Sequence, residues 1–177
     1  MRRLIASLTI VFIGLWAAGA PAWAVTETEE LNNTVSGPFS GTAHAGGSTV
    51  CTSDEFTNHL FDVTVRPAPD NPHQPRMLGT LHIDLCVRFI GGSEFAFRGT
   101  FVFTSSRGAT LRGTATGGTD IASNPRPFSL TLQVGSGTSS FRGVTGHIGL
   151  SGTWNFGQGG GPGPANGTST GALQRPK

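Results

Sequence analysis

Tyrosine is absent from this sequence, lysine occurs once, at Lys177, and cysteine occurs only at Cys51 and Cys86. No stretch carries the 3.6-residue apolar repeat of an amphipathic helix, which turns the reading toward strands. The histidines (His44, His59, His73, His82 and His147) are scattered, with no H-x-x-x-H and no closely spaced cysteine pair. Metal-ligand spacing is therefore lacking, and no metal or other cofactor is expected. Neither G-x-S-x-G nor a phosphate-binding P-loop occurs; Gly159-Gly160-Gly161 runs into Pro162 and reads as linker. Charged residues make up only 12% of the chain, and its formal charge of +2 belongs to Arg2 and Arg3, which leave with the leader described next. The balanced remainder argues against nucleic acid or an anionic membrane as partner. Trp154, on an apolar face, is the only tryptophan after the leader, so the exposed aromatic platforms that suit carbohydrate are missing.

Arg2 and Arg3 precede the apolar run Leu4 to Ala18, and Ala22-Trp23-Ala24 supplies a small-x-small cleavage site. Residues 1–24 thus read as a secretory signal peptide cut after Ala24. The apolar run is short for a membrane span, so no anchor is expected and the destination is extracellular. Residues 25–34, acidic and polar, read as a mobile entry segment. Residues 35–177 read as one domain. In an exported chain two thiols without a third most simply pair, so a Cys51–Cys86 disulfide is expected.

What the sequence does have is alternation. Phe95, Phe97, Phe101 and Phe103 alternate with small and polar residues, and a short Ser105 to Gly108 connection leads into a second strand over Ala109–Ala115. Leu81, Ile83, Leu85, Val87 and Phe89 take one side of another strand, against His82, Asp84, Cys86 and Arg88 on the other. Further strands are expected at Val35–Ala43, His59–Val65, Phe128–Val134, Ile148–Phe156 and Thr168–Leu173. Four prolines make Arg66–Pro75 a stiff loop, and 157–167 is a Gly/Pro-rich loop. About eight one-sided strands and no helix suit a closed antiparallel β-barrel or a two-sheet sandwich.

Two stretches carry a resemblance. Phe101-Val-Phe-Thr104, followed by Gly108, Thr110-Leu111 and Gly113, resembles a strand pattern of dirigent proteins. Leu130 to Gly146, with Gly135, Gly137, Phe141, Gly143 and Gly146, is similar to the bend that allene oxide cyclases and dirigent proteins share. The Leu81–Phe89 strand also resembles the cyclase strand that carries a cysteine. The resemblance, over roughly Gly79 to Gly152, implies an all-β, eight-stranded antiparallel barrel of the allene oxide cyclase type. It implies in addition a homo-oligomer, as a trimer, and an apolar small molecule in the lumen, held in one conformation during cyclisation or isomerisation. On the residues alone, glycines 135, 137, 143 and 146 permit sharp bending with φ > 0, while Phe141 pins the bend to the core.

Two functional expectations follow. In the first, Phe97, Phe101, Phe103, Leu130 and Trp154 bind an apolar ligand, and His82, Asp84 and Arg88, with Arg98 on the neighbouring strand, supply the polar chemistry of an isomerase or cyclase. Alternation alone places that polar stripe on a solvated outer face, whereas the resemblance turns Cys86 and its face-mates inward. In the second, the chain is a non-catalytic extracellular structural or interaction protein that uses the barrel as scaffold.

Overall fold

The computed structural model describes residues 34–46, 51–52, 55–66, 78–155 and 161–175. The expected leader, all of the entry segment but Thr34, and nearly all of the Arg66–Pro75 loop lie outside the described residues.

Eight strands follow one another in the chain: β1 (Thr34–Gly46), β2 (Phe56–Val65), β3 (Gly79–Gly91), β4 (Glu94–Ser105), β5 (Thr110–Asp120), β6 (Arg126–Gly137), β7 (Thr145–Trp154) and β8 (Gly163–Gln174). Each pairs antiparallel with the next, and β8 returns to β1 from Ala43↔Gly163 to Thr34↔Ala172. The result is a closed up-and-down barrel, which leaves no sheet edge open and rules out the two-sheet sandwich.

Alternation decides which side goes in. Leu81, Ile83, Leu85 and Val87 of β3 are buried, and so are Phe97, Phe101 and Phe103 of β4. The phenylalanines therefore face the interior while Arg98 faces out. Every core side chain, from Phe39 on β1 to Leu173 on β8, is 5% exposed or less. Phe39, Phe128, Phe61 and Trp154 form a ring cluster with successive centroids 6.0, 5.2 and 6.1 Å apart. Trp154 donates its Nε1–H to Thr119 Oγ1 at 3.0 Å, and that hydroxyl donates to the Pro127 carbonyl at 2.6 Å. The one polar edge of this aromatic cluster is thus satisfied, as burial requires.

The far end of the barrel is stopped by the link between β6 and β7. A 3-10 turn, Ser139–Phe141, drops Phe141 into the barrel base, fully buried and edge-on to Phe103 at 6.0 Å. Of the four glycines expected to bend here, Gly143 and Gly146 have positive φ, at 73° and 123°. Gly137 matters for a different reason: a Cβ there would lie 2.2 Å from the Phe141 carbonyl oxygen. Gly135 has neither constraint, since its nearest contact would be an ordinary 3.7 Å.

One boundary needs correction. β8 begins at Gly163, inside the 157–167 stretch expected to be a loop. At Gly167 the small residue answers a large neighbour: Gly167 pairs with Phe39, and a Cβ on Gly167 would sit 2.7 Å from the Phe39 ring. Pro164 faces solvent near the start of the strand, where a missing N–H is tolerated.

Candidate functional site

Phe97, Phe101, Phe103, Leu130 and Trp154, the side chains singled out for an apolar ligand, all point into the barrel and are at most 3% exposed. They fill the interior together with the Phe39–Phe61–Phe128 cluster. Anything reaching them from solvent would have to displace that cluster.

The polar stripe of β3 lies on the outside. His82 is half exposed and its Nδ1 meets Asp62 Oδ1 of β2 at 2.5 Å, the two residues being directly paired in register. Asp84 is partly covered, with Oδ1 buried and lacking a partner among the described residues. Arg88 is exposed. Same-face neighbours on a strand stand about 6.6 Å apart, so His82 and Arg88 are separated by about 20 Å. The strand therefore aligns the three residues in direction without bringing them together.

Between Asp84 and Arg88 sits Cys86, bonded to Cys51 with the Cα atoms 5.5 Å apart. Cys86 pairs in register with outward-facing Arg98, so the lumen orientation implied by the cyclase resemblance does not hold for it. It is buried because Cys51, Thr52 and Glu55 form a strap over the outer face of β3 and β4. Glu55 anchors this strap: its two carboxylate oxygens take Arg98 Nε and Nη2, and Oε2 also accepts the Thr52 N–H at 2.7 Å. The Arg98 hydrogen bonds, helped by Thr52, hold the Glu55 carboxyl down at about 2. The sequence flagged the disulfide but not Glu55, whose ion pair joins positions 43 residues apart. Cys51, Glu55 and Cys86 lie close enough to suggest a metal set, but both sulfurs are consumed by the disulfide.

Among the described residues, two surface hollows stand out. At the barrel base Ser139, Ser140, Arg142 and Arg175 border a space of about 330 Å³, with Arg175 Nη2 donating to the Ser140 carbonyl. At the opposite mouth the β3–β4 hairpin and the β5–β6 connection border a cavity of about 390 Å³. Ile90, Phe95, Pro127 and Phe128 give it an apolar wall, and Glu94 and Asp120 lie on its lip. Phe89 packs on Phe95 with centroids 5.3 Å apart yet stays 50% exposed, and neighbouring Ile90 is 54% exposed. This mouth was missed in the sequence, where Phe89 and Phe95 read as ordinary members of inward-facing strand rows.

No family model, curated protein or solved structure matches this chain.

Proposed function

We propose that the chain is an exported, non-catalytic scaffold, a closed barrel that presents a recognition surface at its mouth. The observation that carries this is the interior: among the described residues the core side chains pack against one another and are at most 5% exposed, which leaves reaction chemistry little room. Export is supported by the leader pattern of residues 1–24 and by the Cys51–Cys86 bond, which persists in oxidising compartments. The recognition surface is the tip of the β3–β4 hairpin, where Phe89 and Ile90 are half exposed beside Ile121. Exposed apolar residues gathered at one end of a small domain mark a contact site.

A second reading keeps the apolar small molecule of the allene oxide cyclase resemblance but places it at the mouth, in the cavity bordered by Phe95 and Phe128. The eight-stranded closed barrel supports that kinship, and the trimer it implies belongs to the same proposal. The polar residues first considered for catalysis, His82, Asp84 and Arg88, run along the outer wall, so this reading assigns binding without bond-making.

Methyl NMR of the mature chain separates the interior from the mouth. Titration with a fatty acid or a phenol leaves the methyls of Leu85, Leu111 and Leu132 unshifted under the scaffold reading. Saturable shifts at those three would overturn it. Shifts confined to Ile90 support the mouth reading.

A further inference from the structure

The disulfide on the outer wall has a carboxylate enclosed beside it. Cys51 Sγ, Cys86 Sγ and a carboxylate oxygen of Glu55 all lie within 4.8 Å of one another. Glu55 is the unusual member, because its side chain is only 6% exposed and glutamate is rarely so covered. Its partner Arg98 is 47% exposed, so the ion pair could have formed in solvent without tucking the carboxylate against the sulfurs.

With the bond intact the sulfurs ligate nothing, and reduction changes that. Zinc-like ions hold thiolate sulfur at about 2.3 Å and carboxylate oxygen at about 2.1 Å, which sets tetrahedral donors about 3.5–3.8 Å apart. The three donors are already close to that spacing. Glu55 is also held as ligating carboxylates are: Oε1 accepts from Arg98 Nε, and Oε2 accepts from Arg98 Nη2 and the Thr52 N–H. Each carboxylate oxygen has two lone pairs, so these bonds orient Glu55 without closing it to a cation. Two thiolates and a carboxylate around a divalent ion leave one net negative charge, which the Arg98 guanidinium offsets. One same-face step from Cys86, about 6.6 Å along β3, Asp84 buries Oδ1 without a partner among the described residues.

We infer that reduction turns the strap into a site for a zinc-like divalent ion, held by Cys51, Cys86 and Glu55. A water takes the fourth position and gives Asp84 Oδ1 its missing donor. The reductant is a dithiol. One of its thiolates attacks Cys51 Sγ, the less buried sulfur, the Sγ–Sγ bond breaks, and Cys86 leaves with the electron pair. The second thiolate then attacks the dithiol sulfur of the mixed disulfide, which closes the dithiol's own disulfide and frees Cys51. The dithiol is oxidised by two electrons and the protein reduced by two, and the two cysteine protons pass to solvent when the ion binds. Thiolate ligands favour such an ion over calcium or magnesium. The inference is independent of the mouth reading.

The test is titration of the mature chain with cobalt(II), once oxidised and once reduced with a phosphine that is then removed under nitrogen. The reduced chain is expected to bind one cobalt with a thiolate-to-cobalt charge-transfer band that zinc abolishes. The oxidised chain and Cys51→Ala/Cys86→Ala are expected to show no such band. Glu55→Gln should weaken cobalt about 10-fold or more, the least that loss of an outer-shell partner costs, while the band persists. Far-UV circular dichroism and Trp154 fluorescence follow the fold of each form, and reduction is expected to leave both unchanged. A reduced parent without the band overturns the proposal whatever the variants do. So does a reduced parent that loses the barrel's spectra, or a Glu55→Gln chain that binds cobalt as tightly as the parent.

Discussion

Glu55 and Arg98 show how much a single pairing on the barrel wall carries. Glu55 is held at about 2 in the folded chain against an ordinary value of 4.5, chiefly by the Arg98 guanidinium. A carboxyl whose folded value is depressed contributes stability above its unfolded value and loses it as pH falls toward the folded one. The urea midpoint of the parent should therefore drop relative to that of Glu55→Gln between about pH 4.5 and about pH 2, and the gap between them should be constant above that window. The neighbouring disulfide closes a loop across 35 positions, for which the chain-entropy model gives a stabilisation of about 3–4 kcal/mol. Urea unfolding of Cys51→Ala/Cys86→Ala should show a loss of that order. At this scale the sequence disclosed the bond but not its setting. Two cysteines in an exported chain name each other, whereas Glu55 is one acid among ten until folding lays it on Arg98.

Strands with bulky alternating side chains declared themselves, and strands built from small residues did not. β3 carries Leu, Ile, Val or Phe at each position of one face from Leu81 to Phe89, and β4 carries Phe from Phe95 to Phe103 except at Gly99, so the side-chain period was readable, while the cyclase resemblance left the facing open. The first half of β8, Gly163 to Gly167, places only Gly and Ala inward, with Phe39 crowding Gly167, and no apolar period survives to be read. The mouth hid for the opposite reason. Phe89 and Phe95 continue the inward rows of β3 and β4 past the point where the barrel has an inside, and only closure shows where it ends. The β6–β7 link lends itself to a paired test. Gly137→Ala forces a Cβ onto the Phe141 carbonyl and should cost about 1–3 kcal/mol, while Gly135→Ala, which meets nothing closer than 3.7 Å, should stay within about 0.5 kcal/mol. Denaturant midpoints of the two variants check this, and equal losses would show that the turn does not depend on that close approach.

For the molecule as a whole, closure and filling are the same fact. Eight strands enclose an interior that side chains can just occupy, and here phenylalanines, leucines and Trp154 occupy it, with Phe141 closing the base. Phe101→Ala, which empties the middle of that interior, should cost about 3–5 kcal/mol by thermal or urea unfolding. The same filling directs the proposed function to the rim, since the core side chains among the described residues, at most 5% exposed, offer a ligand little surface. Sequence patterning reached the barrel but not its solidity, because alternation shows which way side chains point and not whether they meet across the axis. Xenon pressurisation of crystals of the mature chain measures this directly. The interior should hold no xenon in the parent and should take it up beside Ile83 and Gly113 in Phe101→Ala. Xenon density inside the parent barrel would contradict the account.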